Sequence, residues 1–502
     1  MTKEVGINEK LLKEHPYNKE FLKEPFHEKT NLLILGAGMG GRLVLREIKK
    51  KDDHNVVGFV DDNPRFIGEK IHGIKVYGPI STLPEILKKL KTQKKEIKEV
   101  IIAMPSADGI VIKKIIRLIS QKIPKISILP TAYEDPFSIK TGLVVPEKIR
   151  KVKVEDFFRR KPMLLPFDEI LSHYQGKRIL ITGAGGSIGS ELVRQLTIFS
   201  PEHLILLDNS EFSLYTIQME LSEKDEIKKT FLLADLRDKE KIKKIISKFN
   251  PEIIFHAAAY KHVPLLEENP EESINNNIAG FCNLMHSLND NVKEFILIST
   301  DKAVDPSSIM GMSKRICELI LQSKSRKINS KLLAVRFGNV ACSSGSVIPL
   351  FEKQIEKGGP VTITDIQMKR FFMTIPEAAQ LVLQTPILGD TGDILILEMG
   401  NQCFLFELAE DMIRLKGFIP NKDIPIKITC TRKGEKMEER LFGDKEKIEP
   451  TRNKRISIIK TNYVDDKKLS LLLSKLFNAS KQNDIESIKE IFKKEMSQVN
   501  TS

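Results

Sequence analysis

Two segments of this chain each join an apolar strand, a glycine-rich turn and an amphipathic helix. The first is NLLILGAGMGGRLVLREI at residues 31–48, and the second is KRILITGAGGSIGSELVRQL at residues 177–196. Such glycines permit a tight turn and let a phosphate approach the positive end of the following helix. The pattern is typical of a strand and helix in a parallel sheet that binds a dinucleotide.

The first segment contains Gly36, Gly38 and Gly41 in a G-x-G-x-x-G pattern, and the next strand, NVVGFVDDN, reaches Asp61. An acid at this distance from the glycines can hold a ribose hydroxyl. A dinucleotide, a coenzyme A-like ligand and a UDP-sugar all fit this pattern. A scaffold domain that binds nothing fits it equally well, so the sequence leaves the ligand of this unit open.

The second segment carries the more complete pattern, because three further strands follow it at regular spacing. HLILLD ends at an acid, FLLAD ends at a second acid, and IIFHAAAY continues into small residues beside which a flat cofactor can lie. The predicted cofactor site comprises Gly183, Gly186, Ser187, Ile188, Gly189, Asp208, Asp235 and Ala257.

Strands that alternate with amphipathic helices predict an α/β protein with two Rossmann-like domains, each a doubly wound parallel sheet covered on both faces. Ligands of such sheets lie at the carboxyl ends of the strands. We predict an N-terminal arm at 1–30, a nucleotide-binding-like domain at 31–135, a linker at 136–175, a catalytic domain at 176–460 and a helical tail at 461–502.

The amino-acid composition limits which classes of partner and which cellular compartment fit this chain. The net charge is +13, but the lysines are spread over every predicted helix, which favours solvated helix faces over a nucleic-acid site. Peripheral contact with an anionic membrane is left open by this charge. The five cysteines are widely spaced without a C-x-x-C pair, which argues against disulfides and against a zinc site. With neither a signal peptide nor an apolar run of about 20 residues, we expect a soluble, cytoplasmic protein without a metal.

Five motifs occur in a fixed order: TGAGGSIGSE, FHAAAYKHVPLLEENP, NNIAGF, STDKAV and MGMSKR. In this order they resemble the extended short-chain dehydrogenase/reductase superfamily. Within it, the chain resembles the large bacterial polysaccharide-biosynthesis proteins typified by UDP-N-acetylglucosamine 4,6-dehydratase, from about Leu32 to Ile459. The resemblance implies an extended short-chain dehydrogenase domain with a smaller C-terminal lobe for a UDP-sugar. It also implies NAD, rather than NADP, as cofactor, and a homo-oligomer.

The same resemblance implies a reaction and its residues. A 4,6-dehydration oxidises the sugar at C4, removes water across C5 and C6, and reduces C6, so it needs an acid and a base. Thr300, Asp301 and Lys302 match the position where dTDP-glucose dehydratases carry Thr-Asp-Glu. By this match Asp301 protonates the departing C6 hydroxyl and Lys302 takes the C5 proton. That role requires a lowered pKa for Lys302, which we expect from burial and nearby cations. The alternative is a simple Asp301–Lys302 ion pair.

Met310 stands where the superfamily usually has a tyrosine, four residues before Lys314. Lys314 resembles the lysine that holds the nicotinamide ribose, with a solvated helix lysine as the alternative. Methionine cannot move a proton, so Thr300, a water or Lys302 must take the C4 hydroxyl proton. Met310 therefore weighs against a C4- or C5-epimerase. Short dehydratases that invert C5 keep the tyrosine, whereas the larger members with methionine resemble those that retain C5. The resemblance thus implies the retained product, UDP-2-acetamido-2,6-dideoxy-4-keto-glucose. The alternative to an enzyme is a non-catalytic sensor that binds NAD and a sugar nucleotide.

The resemblance also implies residues that bind the UDP-sugar. Asn339 matches a residue that contacts the diphosphate, and Arg336 precedes it, with a buried structural arginine as an equal alternative. Arg370 matches a guanidinium for the pyrophosphate, with a surface arginine as the alternative. Lys261 and His262 complete the predicted substrate site. We assign no catalytic role to the later segment TRKGEKMEERL.

Overall fold

The computed structural model describes residues 29–51, 53–131, 148–160, 166–221, 227–460 and 464–501. The chain forms two compact units. Of the described residues, the first unit comprises 29–51, 53–105, 122–130 and 148–151, and the second comprises the others. Residues 1–28 of the predicted arm and 136–147 and 161–165 of the predicted linker lie outside the described residues.

The first unit is built on a five-stranded sheet whose first four strands are parallel and whose last is antiparallel. In spatial order the strands are His54–Val60, Thr30–Leu35, Glu99–Ile102, Lys125–Ile128 and Arg150–Lys151. A short hairpin and two helices accompany this sheet: Lys70–Ile71, Ile74–Lys75, Met39–Lys51 and Leu83–Thr92. The strand Thr30–Leu35, which is paired on both sides, is fully buried from Leu32 to Leu35, as expected for a strand covered on both faces.

The glycine turn of the first unit has the geometry expected from its sequence. Gly36 has φ +105°, and a Cβ on Gly41 would lie 1.9 Å from the Gly36 carbonyl oxygen. Asp61, predicted to hold a ribose hydroxyl, accepts the backbone N–H of Ala37 at 2.6 Å. In this structure, therefore, the carboxylate of Asp61 supports the turn itself.

The second unit is built on a nine-stranded sheet. In spatial order its strands are Lys228–Leu233, His203–Asp208, Arg178–Thr182, Ile253–His256, Glu294–Ile298, Lys331–Arg336, Ile394–Leu397, Ile456–Ile459 and Ile448–Pro450. The first seven are parallel, and Ile456–Ile459 runs antiparallel to both of its neighbours. The chain order reverses between Arg178–Thr182 and Ile253–His256, which is the point where such sheets bind their ligands.

Helices and short strand pairs surround this sheet. The helices are Gly109–Ile119, Phe167–Tyr174, Ser187–Leu196, Glu211–Leu221, Lys239–Phe249, Val263–Glu268, Pro270–Glu272, Gly280–His286, Ile309–Lys324, Val347–Glu356, Ile375–Leu388, Leu405–Leu415, Asp466–Lys481 and Ile485–Thr501. The short strand pairs are Asn339–Val340 with Phe372–Met373, Val361–Ile363 with Ile426–Ile428, and Lys369–Arg370 with Cys403–Phe404.

Two hydrophobic clusters pack against opposite faces of the nine-stranded sheet. Ile254 and Phe295 belong to one cluster, whereas their chain neighbours Phe255 and Ile296 belong to the other. Adjacent strand residues point to opposite faces, so both faces are covered. The predicted α/β fold with doubly wound, Rossmann-like parallel sheets is confirmed.

The division between the units differs from the predicted boundary at residue 135. The helix Gly109–Ile119, which the sequence assigned to the first domain, packs within the second unit. Arg117 on this helix forms two hydrogen bonds with the buried carboxylate of Asp411, at 2.6 and 2.8 Å. The backbone N–H of Gly109 also bonds to the carbonyl of Arg159. Such long-range partners cannot be inferred from the local helical pattern.

Within the described part of the chain, no helix combines the length and the apolar character needed to cross a bilayer.

Candidate active site

The glycine-rich turn of the second unit lies at the point where the strand order reverses. Gly183 has φ +68°, and a Cβ there would lie 2.7 Å from the backbone nitrogen of Ala258. A Cβ on Gly189 would lie 2.0 Å from the Gly183 carbonyl oxygen. Since only glycine fits these two positions, the helix Ser187–Leu196 can begin close to the strand end. A dinucleotide pyrophosphate fits such a turn, because the turn presents backbone N–H groups at a helix N-terminus.

The other predicted cofactor residues follow neighbouring strand ends. Asp208 is buried and accepts the backbone N–H groups of Gly185 and Ser210, both at 2.9 Å. Asp235 pairs with Arg237 at 2.7 Å, and this hydrogen bond lowers the pKa of its carboxyl. Ala257 directly follows the strand Ile253–His256. The parallel sheet therefore brings these residues to the same edge as the glycine turn.

Lys314 and Met310 lie on the helix Ile309–Lys324, and both side chains are buried. The alternative of a solvated Lys314 is therefore wrong. Burial lowers the pKa of Lys314, and it also lowers the pKa of nearby His256, to about 3. Ser308 caps this helix by accepting the N–H of Gly311, which fixes where the helix begins.

Thr300, Asp301 and Lys302 form one hydrogen-bonded group after the strand Glu294–Ile298. The Thr300 hydroxyl donates to Asp301 Oδ1 at 2.9 Å, and Lys302 Nζ donates to the same oxygen at 3.0 Å. Lys302 also donates to Asn339 Oδ1 at 3.1 Å. Asp301 is fully buried, and its Oδ2 has no hydrogen-bond partner among the described residues. One carboxylate oxygen is thus held by two hydrogen bonds, whereas the other is buried without one from any described residue.

Glu439 is a member of this group that the sequence analysis missed. Its side chain is buried, and its Oε1 lies 4.0 Å from Lys302 Nζ. Its Oε2 lies 4.0 Å from Lys436 Nζ and has no hydrogen-bond partner in the described part of the chain. Burial raises the pKa of the Glu439 carboxyl, and the negative charge of Asp301 raises it further. Glu439 belongs to the segment to which we assigned no catalytic role.

The expectation that Lys302 has a lowered pKa is wrong for this structure. Burial acts to lower the pKa of Lys302, but the negative charges of Asp301 and Glu439 outweigh it and raise the pKa above its ordinary value. The hydrogen bond to Asp301 acts in the same direction. Lys302 is therefore held as an ammonium group.

Arg336, predicted to bind substrate, points instead into a buried ion-pair network. Its Nε and one terminal nitrogen donate to the two carboxylate oxygens of Glu318, at 2.8 and 2.7 Å. Its other terminal nitrogen donates to Glu446 at 2.8 Å. The side chain is fully buried, so the structure favours the alternative of a structural arginine over a substrate ligand.

The remaining predicted substrate residues differ in their surroundings. Arg370 is buried, so the surface alternative is wrong, and it donates to the carbonyls of Lys369 and Met437. Burial lowers the pKa of Lys261, and the Lys302 charge lowers it further. His262 packs over Gly345, where a Cβ would lie 2.4 Å from the imidazole.

The sequence model of the polysaccharide biosynthesis protein family matches residues 179–461, which is more than half of the chain. The sequence model of the CoA binding domain matches residues 27–131. The probable polysaccharide biosynthesis protein EpsC of Bacillus subtilis is 41% identical over 422 residues, which cover 83% of this chain and 69% of that protein.

Two further relatives match a smaller share of the chain. UDP-glucose 4-epimerase of Rickettsia rickettsii is 31% identical over 336 residues, which cover 63% of this chain and 95% of the epimerase. The X-ray structure of Pen from Bacillus thuringiensis superimposes with a TM-score of 0.53 at 29% identity, over 57% of this chain and 90% of Pen. The family match at residues 179–461 includes the glycine turn, the Thr300–Lys302 group and Glu439.

Proposed function

The chain belongs to the polysaccharide biosynthesis protein family, and on this premise we propose that it is an NAD-dependent 4,6-dehydratase of a UDP-N-acetylhexosamine. The proposed substrate is UDP-N-acetylglucosamine, and the proposed product is UDP-2-acetamido-2,6-dideoxy-4-keto-glucose with its C5 configuration retained. A homo-oligomer and a cytoplasmic location remain predictions from the sequence.

The observation that carries this proposal is the hydrogen-bonded group of Thr300 and Asp301, which lies at the same edge of the parallel sheet as the glycine turn. The Thr300 hydroxyl already donates its hydrogen to Asp301 Oδ1. Its oxygen can therefore accept the C4 hydroxyl proton of a sugar while its own proton passes to Asp301. This arrangement supplies the proton transfer for which the buried Met310 has no suitable group.

The proton taken from the C4 hydroxyl serves the later elimination. Its transfer converts Asp301 to the protonated form that a general acid needs. Asp301 can then donate a proton to the C6 hydroxyl as that group departs as water. One residue thereby serves both the oxidation and the elimination. Burial of Asp301 excludes bulk water, which would otherwise compete for the proton.

The cofactor proposal depends on the glycine turn and on the strand ends beside it. Gly183, Gly186 and Gly189 would hold the pyrophosphate, and Asp208 would lie toward the adenosine ribose. Lys314 would hold the nicotinamide ribose, since its buried ammonium can donate to ribose hydroxyls. A bound nicotinamide supplies removal of hydride from C4 and its return at C6.

A UDP-sugar 4-epimerase is the second candidate, because one relative carries that name at 31% identity. Epimerisation at C4 needs a group that takes and returns the proton of the C4 hydroxyl. Thr300 together with Asp301 could act as that group. The free carboxylate oxygens of Asp301 and Glu439, however, supply the additional acid and base that only an elimination requires.

The test is to incubate the purified protein with UDP-N-acetylglucosamine and to analyse the nucleotide sugar by mass spectrometry and by proton NMR, which distinguishes the C4 epimers. A product that lacks one water and carries a C4 ketone supports the proposal. UDP-N-acetylgalactosamine of unchanged mass would support the epimerase. Substrate recovered unchanged, even with added NAD, would contradict both and favour a sensor.

A further inference from the structure

Two buried carboxylates share one ammonium group in the second unit. Asp301 Oδ1 and Glu439 Oε1 lie 3.0 and 4.0 Å from Lys302 Nζ. Each carboxylate also has one buried oxygen, Asp301 Oδ2 or Glu439 Oε2, without a hydrogen-bond partner within the described ranges. A buried polar atom without a partner costs free energy, and a bound ligand would remove that cost. Both oxygens are therefore candidates to act on a substrate.

Lys302 is a poor base in these surroundings. Its ammonium donates hydrogens to Asp301 and Asn339, and its charge also compensates that of Glu439. Removal of its proton would leave two buried carboxylates near each other without that compensation, which is unfavourable. A general base must be unprotonated at the working pH, and the raised pKa of Lys302 opposes this.

Glu439 has the properties that Lys302 lacks. A carboxylate accepts protons and donates none, and a carboxyl whose pKa is raised by burial is a stronger base than an ordinary glutamate. The charges of Lys302 and Lys436 limit that rise and thereby favour the ionised form. Glu439 is thus an ionisable acceptor with one oxygen free.

Two hydrogen bonds join the segment that carries Glu439 to the residues that follow Lys302. The ammonium of Lys436 donates to the carbonyl of Val304 at 2.8 Å, and the Ser307 hydroxyl donates to the carbonyl of Gly434 at 3.1 Å. Both bonds involve residues a few positions before Glu439. They hold the backbone that leads to Glu439 against the Thr300–Lys302 region, as a catalytic group requires.

We propose that Glu439 is the base that takes the C5 proton, and that Lys302 is a positioning residue that holds Glu439 and Asp301. This inference rests on the proposed dehydration. In the elimination, the C5–H bond breaks and its proton passes to Glu439 Oε2, while the bonding electrons form the C5–C6 double bond. The C6–O bond breaks as Asp301 protonates the departing hydroxyl, which leaves as water. The Glu439 carboxyl then exchanges its proton with solvent and delivers a solvent-derived proton to the same face of C5, which retains the configuration.

The test compares Glu439→Gln with the matched control Glu438→Gln. Glu438 is the neighbouring residue, and its exposed carboxylate pairs with Lys369. In deuterated water, we expect Glu439→Gln to lower both dehydration and deuterium incorporation at C5 by on the order of 100- to 10,000-fold. The control should retain the wild-type rate, and equal melting temperatures would show that both variants are folded.

Chemical rescue separates a base from a structural residue. We expect formate to restore C5 exchange to Glu439→Ala, because a small carboxylate can occupy the vacated position. Methylammonium should restore it to Lys302→Ala, because it replaces the charge that holds both carboxylates. C5 exchange by Glu439→Gln at the wild-type rate, or a rescue of Lys302→Ala by methylamine that grows with the free-amine fraction as the pH rises, would overturn the inference while leaving the dehydratase intact. A wild-type protein that forms no 4-keto product would overturn the proposed function, and the inference with it.

Discussion

Asp301→Asn is expected to lower the rate of 4-keto product formation by on the order of 100- to 10,000-fold. The asparagine side chain keeps the size of the aspartate and can still accept the Thr300 hydrogen bond. It cannot take up the C4 hydroxyl proton or deliver a proton to the departing C6 hydroxyl. The measurement is the steady-state rate at saturating UDP-N-acetylglucosamine, with the Kd for the same substrate determined by calorimetry.

Asp290→Asn is the matched control, because this exposed acid precedes the strand Glu294–Ile298, whose other end leads to Asp301. Its rate and its affinity should equal those of the wild type. A large loss of affinity for Asp301→Asn with an unchanged rate at saturation would give Asp301 a binding role and contradict its role as the acid.

Glu318→Gln is expected to have the largest effect on stability, lowering the free energy of unfolding by about 3–5 kcal/mol. Glu318 is fully buried and accepts two hydrogen bonds from Arg336 and one from Ser299. Burial opposes ionisation of this carboxyl, but the charge of Arg336 outweighs it and lowers the pKa of Glu318 to about 2. The variant would leave a buried guanidinium facing a side-chain amide that donates hydrogens. Urea denaturation monitored by circular dichroism measures the loss.

The pH dependence of stability has a defined sign at this carboxyl. Because the pKa of Glu318 is lower in the folded protein than its ordinary value of 4.5, its contribution is present above about pH 4.5 and is lost as the pH falls toward 2. Glu486→Gln, at an exposed pair with Lys489, should change stability by less than about 1 kcal/mol. Wild-type stability for Glu318→Gln, together with a raised KM, would instead assign Arg336 to the substrate site.

The glycine turns could be predicted because their structural requirements are local. Gly183 follows an apolar strand, and its positive φ and its contact with Ala258 are the reasons that glycine is needed there. The alternation of strands and helices also predicted the parallel sheets and the edge at which Asp208 lies. Each of these features depends on a pattern that repeats over a few residues.

The environments of the charged groups could not be predicted in the same way. The resemblance identified Lys302 as a base, but its protonation depends on Glu439, which a separate segment brings to within 4.0 Å. The role of Arg336 likewise depends on Glu318 and Glu446, which lie on other parts of the chain. A pKa reflects every charge nearby in space, whereas the sequence orders residues only along the chain.

The most direct test of the proposed dehydration is the position of solvent deuterium in the product formed from UDP-N-acetylglucosamine in deuterated water. Proton NMR should show a 4-keto-6-deoxy sugar that carries deuterium at C5 and retains the gluco configuration there. That result would follow from removal and return of the C5 proton on one face. A UDP-sugar epimerised at C4 that has kept its C6 hydroxyl and its C5 hydrogen would contradict the account.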